Sequence, residues 1–279
     1  MAVFSRLIPT ATSAFVLQTL LALIFVPQQN EKYYDLGGAV GFLSTAFISL
    51  YYPALRSKFL DGNPGPLPSI TSAALGIWSV RLGSFLAARA IKAGGDSRFE
   101  EVKKDPKRFT FFWLAQATWV LLVGLPVYLV NSLPPHLHPA LGIRDYAAFG
   151  LFAGSFLFEV VADRQKTAWR RAKDAKQHDE KFITRGLWSI SRHPNYVGEV
   201  GIWTGIWALA AGSLKTPFFP VGTVALTAAS PLFTWFLVRK VSGVPPLEKA
   251  GDKKFGGDKK WEEYKKNVPV FWPWVGGTN

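Results

Sequence analysis

Thr184-Arg185-Gly186-Leu187-Trp188-Ser189-Ile190-Ser191-Arg192-His193-Pro194-Asn195-Tyr196-Val197-Gly198-Glu199 is the stretch whose reading decides the fold. Its left half is polar and turn-forming; its right half opens an apolar run over residues 200–211. Pro194 has no N–H and disfavours helix through His193, so a helix is predicted to start at or just after Pro194, with residues 195–199 in its first turns. That puts a carboxylate, an amide, a phenol, an imidazole and two guanidinium groups at one mouth of a membrane-type helix. Polar groups are costly at a membrane boundary, and such a set marks a functional site by default.

Working outward, the rest of the chain supplies the other helices. It has 279 residues, of which 49% are hydrophobic, 15% aromatic and eleven Trp. Several apolar runs approach the roughly 20 residues that cross a bilayer core. The pattern predicts an all-α, polytopic helical bundle of about seven spans, near residues 9–26, 36–52, 69–90, 109–130, 145–161, 196–211 and 220–238. The first is read as a retained span or signal-anchor. No repeat or soluble domain stands out, so residues 1–279 read as one membrane domain. The formal charge of +13 falls between the apolar runs. That argues against a nucleic-acid binder, which needs a basic face on a soluble fold. It suits cytoplasmic loops over 92–108 and 164–185 and a cytoplasmic tail over 241–279. Arg56 and Lys58 then fall on the opposite side. There is no Cys, which removes disulfides and thiolate chemistry.

Within this frame a few polar residues stand out. Gln18 is the one strongly polar member of the first span. Gly37, Gly38 and Gly41 open the second and allow helices to approach closely. Tyr34 and Asp35 sit where that span begins; together with Tyr51 and Tyr52 they are catalytic candidates, or else interface anchors. Arg81, deep in the third span, should face protein or water, and Arg89 could snorkel to the interface. Residues 61–68 read as a Gly/Pro turn region. His136 and His138 lack a third ligand, so no metal is expected. Glu159 and Asp163 are spaced i,i+4 and share a helix face, where a cation should meet them. The tail's Trp261, Tyr264, Phe271, Trp272 and Trp274 suggest a helix skirting the membrane with its Trp residues at headgroup level.

No Gly-rich phosphate loop, dinucleotide fingerprint or Ser elbow occurs. The central stretch, however, resembles the C-terminal half of the steroid 5-alpha-reductase family, and is most similar to a branch of compact membrane proteins within it. Tyr34-Asp35-Leu36-x-Gly38, Arg81-Leu82-Gly83, Asp96-x-Arg98-Phe99, Phe158-Glu159-x-x-Ala162-Asp163-x-Gln165, Ser242-Gly243-Val244-Pro245-Pro246-Leu247-Glu248-Lys249 and Trp261-x-x-Tyr264 extend the resemblance over nearly the whole chain. It implies a cytoplasm-facing cofactor cavity among the last helices and NADPH-dependent reduction of an activated carbon–carbon double bond in a steroid, sterol or enoyl lipid. It further implies that residues 145–279 form the cofactor-binding half and residues 1–130 the substrate side. In a eukaryote the location implied is the endoplasmic reticulum membrane. Carried over by position, Glu159, Asp163, Trp188, Arg192, His193, Asn195, Tyr196, Glu199 and Arg239 become cofactor residues.

The residues' own chemistry agrees. Arg164, Arg185, Arg192 and Arg239 can meet phosphates with bidentate hydrogen bonds, and Asn195 and Glu199 can hold a carboxamide or ribose hydroxyls. The proton donor is not assigned by the motifs. Two other readings share these residues. Arg-His-Pro-x-Tyr-x-Gly also occurs in S-adenosylmethionine-dependent membrane methyltransferases of the isoprenylcysteine and phospholipid type, and a non-enzymatic lipid-binding protein could keep the same cavity.

Overall fold

The computed structural model describes residues 3–61, 69–93, 95 and 99–273. The turn residues 62–68, the motif positions Asp96 and Arg98, and Trp274 lie outside them, as do the side chains of Arg56 and Lys58. The chain is a helical membrane bundle, and no strand occurs among the described residues. Its helices are α1 (Leu7–Phe25), α2 (Tyr34–Asp61), α3 (Ile70–Ala93), α4 (Pro106–Asn131), α5 (Ile143–Asp174), α6 (Pro194–Leu214), α7 (Thr223–Thr227), α8 (Ala229–Phe236), α9 (Val244–Phe255) and α10 (Lys259–Asn267). Among the described residues, six runs are long and apolar enough to cross a membrane: Phe4–Phe25, Ile70–Lys92, Pro106–Asn131, Ile143–Asp174, Pro194–Leu214 and Thr223–Phe255. With 28 residues, α2 has the length to cross, and counting it gives the expected seven.

Two differences from the expected elements have local causes. The seventh span is not one helix but α7, α8 and a π turn, Leu237–Val241, preceded by Gly222 at φ +92°. The basic stretch expected as a loop from residue 164 is helical to Asp174: its Lys and Arg residues favour helix and are interspersed with Ala and Trp.

The chain divides into two compact units. The first comprises Met1–Asp145 and Ile206–Ser230, the second Tyr146–Gly205 and Pro231–Asn279. In the first unit α1, α2 and α4 pack on one another, and α3 packs on α2 and α4. Their cohesion is polar as well as apolar. The fully buried Gln18 donates from Nε2 to the Gly37 carbonyl at 2.9 Å, and Gln116 Nε2 donates to Gln18 Oε1 and to the Tyr34 carbonyl, both at 3.1 Å. A Cβ at Gly41 would come within 2.7 Å of Gln18 Nε2. The small residue is what admits the amide. In lipid such interhelical bonds hold helices together where no hydrophobic force between helices is available. Phe42 packs edge-on to both Trp78 and Trp119. Arg81 lies with its guanidinium 5.3 Å from the Phe85 ring, half-buried, and Arg89 approaches Asp35 at 3.9 Å.

In the second unit a glycine stripe on α6 sets the geometry. Gly198, Gly201 and Gly205 face Glu159, Ser155 and Phe152 of α5, respectively. A Cβ at Gly198 would lie 3.0 Å from the Glu159 backbone, and one at Gly205 would lie 2.6 Å from Phe152 N. The two backbones touch, so Glu159 is carried directly onto the first turns of α6. The tail packs on protein: Trp261, Tyr264 and Val268 form a buried cluster with Phe182 and Phe255, while Val270 and Phe271 join Val200 and Val244. Trp261, expected at headgroup level, is 6% exposed and donates to Asp252 Oδ1.

Gly198→Val should therefore cost about 2 kcal/mol or more through overpacking. Gly154→Ala on α5, where an added methyl meets nothing within 4 Å, should be neutral or stabilising by up to about 1 kcal/mol. Unfolding midpoints of the two variants in detergent check the contrast.

Candidate functional site

The site grows from a short 3-10 turn, Gly186–Ser189, ahead of α6. Gly186 takes φ +62°, a left-handed conformation that suits glycine, and the Gln165 side chain lies against it. Gln165 Oε1 then accepts from Leu187 N at 2.9 Å. Trp188 Nε1 donates to the Ala162 carbonyl at 3.1 Å, and Lys166 Nζ sits 4.2 Å from the Trp188 ring. Three consecutive interactions thus fix the turn to the stretch of α5 that carries Asp163.

The next residues are held by the C-terminal segment. Ser191 Oγ donates to the Phe271 carbonyl at 2.6 Å and accepts from His193 N at 3.2 Å; Arg192 N donates to the Pro269 carbonyl at 3.0 Å. Tyr264 OH donates to the Trp188 carbonyl at 2.6 Å. Burial raises the Tyr264 phenol's pKa, which keeps that proton in place. The helix begins at Pro194, as the sequence predicts, and the His193 carbonyl accepts the first helical N–H groups, from Tyr196 and Val197.

At the centre is one carboxylate gripping two cationic-type groups. Glu248 Oε2 lies 3.2 Å from Arg192 Nη2, and Glu248 Oε1 lies 2.8 Å from His193 Nε2. The Arg192 and His193 side chains are 3% and 6% exposed, so the pair is close to fully desolvated and the carboxylate is needed to offset that cost. Burial lowers the His193 pKa below its ordinary 6.5, the Glu248 bond acts in the opposite direction, and Lys166 and Arg192 push it further down. A neutral imidazole at 2.8 Å from a carboxylate carries its hydrogen on Nε2. Nδ1 is then a buried acceptor with no hydrogen-bond partner among the described residues. The Tyr196 ring stacks on the imidazole, with 5.8 Å between centroids.

Of the residues singled out from sequence, Glu159, Asp163, Trp188, Arg192, His193 and Glu199 are all buried in this unit. Asn195 and Tyr196 are half-buried in the first turn of α6. Glu199 Oε1 accepts from Trp203 Nε1 at 3.1 Å. The other cations stand apart from this buried group. Arg164 is exposed, Arg185 is exposed with its guanidinium 3.8 Å from Glu180, and Arg239 is half-buried in the π turn. The catalytic candidates Tyr34, Asp35 and Tyr51 belong to the other unit. There Tyr34 OH donates to the Phe112 carbonyl at 2.9 Å, Tyr51 lies against Phe47, and Asp35 lines a small cavity between helices. No cluster of three or more His, Asp or Glu suited to a metal occurs among the described residues.

Sequence reasoning missed the site roles of Glu248, Ser191, Gln165 and Tyr264. All four lie inside the motifs quoted above, but only the fold shows that they hold the turn. A family described as a protein of unknown function, DUF1295, matches residues 21–268. The chain belongs to the DUF1295 family. No curated protein and no solved structure matches it significantly. The DUF1295 match spans both the Arg192-His193 turn and the Glu248 segment that grips it.

Glu248→Gln removes the shared carboxylate and should destabilise the protein by about 3 kcal/mol, read as a lowered unfolding midpoint in detergent. A second expectation follows from His193, whose folded pKa lies below the unfolded one. The unfolded chain binds the extra proton, so stability is complete above about pH 6.5 and falls as pH drops below it. Unfolding midpoints between pH 8 and pH 5 should show that decline, and His193→Asn should flatten it.

Proposed function

We propose that this DUF1295 protein is a membrane-embedded, NADPH-dependent reductase of a carbon–carbon double bond in a lipid. The observation that carries the reading is the convergence of Glu159, Asp163, Arg192, His193 and Glu199 as buried polar groups around the first turns of α6. So many desolvated polar side chains on membrane helices are costly for packing alone and fit a polar ligand.

The residue chemistry fits the proposed cofactor. The bare His193 Nδ1 is an acceptor suited to a hydroxyl or amide N–H. Glu159, Asp163 and Glu199 can accept from ribose hydroxyls, and the Asn195 amide can bind a carboxamide. For phosphates, the exposed Arg164 and Arg185 and the half-buried Arg239 are the cations to test. Arg192 is the weaker phosphate candidate, because its guanidinium already faces Glu248. Its role in this reading is to hold His193 and the mouth of α6 in register. NADPH, when bound, would supply the hydride. The burial of the side chains around it would exclude water from the nicotinamide end. In a eukaryotic cell the reading implies the endoplasmic reticulum membrane.

Purified protein in detergent should gain thermal stability from NADPH, more than from NADH, by mass action on the folded state. Asn195→Ala and Glu199→Gln should each remove most of that gain while leaving the ligand-free midpoint within a few degrees. A shift produced by S-adenosylmethionine and not by NADPH would replace the reductase with a methyltransferase. No shift from either would leave a lipid-binding protein without this cofactor.

A further inference from the structure

The first unit contains a cavity that the cofactor reading does not use. It lies among α2, α3 and α4 and has a volume of about 40 Å³, room for about three waters. Trp78, Trp119, Leu82 and Leu86 make its apolar walls, and Asp35, Ser79 and Gln116 are its polar members.

The hydroxyl of Ser79 is the telling group. Serines within membrane helices ordinarily return their hydrogen to a carbonyl one turn back. In this chain Ser44, Ser49 and Ser84 do so, to Gly41, Ala46 and Arg81 at 3.1, 2.7 and 3.0 Å. Ser79 is 1% exposed, and its Oγ has no hydrogen-bond partner among the described residues. A buried hydroxyl without a partner costs about 1–3 kcal/mol. Gln116 has committed both Nε2 hydrogens, to Gln18 and Tyr34, which leaves its carbonyl oxygen as acceptor. Asp35 offers a second acceptor and is faced by Arg89 at 3.9 Å.

We propose that the Asp35–Ser79–Gln116 cavity binds the hydroxyl end of an apolar lipid. An alcohol donates one hydrogen bond and accepts another. It can therefore donate to Asp35 or Gln116 and accept from Ser79 at the same time. A carboxylate head would meet Asp35 with like charge. An ammonium head would add a cation beside the carboxylate that Arg89 already faces, and would bear a far larger desolvation cost among Trp and Leu side chains. The volume accommodates a terminal –CH2OH group with its nearest carbons, and the rest of a longer chain lies outside. The site is independent of the cofactor proposal, and its test uses no nucleotide.

The test is photolabelling of the full-length protein in detergent with 3-azioctanol, mapped by mass spectrometry. Adducts are expected on α2, α3 or α4 residues of the cavity wall. Excess 1-dodecanol should suppress them, while dodecane, laurate and dodecylamine should not. Ser79→Ala should weaken the competition by 1-dodecanol about fivefold, the effect of one neutral hydrogen bond. Equal suppression by dodecane would reduce the cavity to a greasy hole, and stronger suppression by dodecylamine would make it a cation site; either overturns the proposal. So would adducts confined to other helices. These wild-type arms decide the matter even if the Ser79 variant is poorly folded.

Discussion

The second unit depends on one carboxylate. Glu248 is bonded at once to the guanidinium and the imidazole of adjacent residues, and both are nearly sealed from solvent. Without it the buried guanidinium would lose its carboxylate and the neutral imidazole its hydrogen-bond acceptor, and α9 in turn is tied down by the same pair. The bonds from Ser191 Oγ to the Phe271 carbonyl and from Arg192 N to the Pro269 carbonyl align with this grip. Remote parts of the chain therefore share one anchorage: the turn ahead of α6, the helix that follows the π turn, and the C-terminal strap.

The glycine stripe on α6 performs the complementary task. Three missing side chains let α5 and α6 touch backbone to backbone, and lipid gives no hydrophobic incentive that would do the same. Electrostatics holds the turn and close packing holds the helices. The acid pair on α5 lies where the two meet. The first unit solves its own version of the problem with a buried amide pair, Gln18 and Gln116, admitted by Gly41 and Gly38.

Much of this was legible in the sequence. The spans followed from apolar runs, and the start of α6 followed from Pro194, whose missing N–H leaves few alternatives. That Glu159 and Asp163 share a helix face was legible from their spacing; that the face is buried was not. What could not be read was long-range pairing. Glu248 is 55 positions from His193, and no periodicity relates them. The helical course of residues 164–174 was hidden because charge there resembled a loop. Conversely, the broken seventh span looked continuous because its interruption turns on backbone geometry at Ala228, between α7 and α8, and at residues 237–241. Ser79 gave no signal at all, since a serine in a helix ordinarily satisfies itself.

The length of α5 has a topographic consequence. Thirty-two residues at 1.5 Å each extend about 48 Å, against about 30 Å of hydrocarbon. Glu159 and Asp163 lie about 24 and 30 Å along that rod, where an upright helix leaves the oily slab. The remaining 18 Å or so, rich in Lys and Arg, overhangs that thickness and is braced by the segment that follows it: Trp169 Nε1 donates to Glu180 Oε2, and Lys173 donates to the Glu180 and Lys181 carbonyls. Both acids are nonetheless buried, so what shields them is the packing of α5 on α6 and on the turn ahead of it.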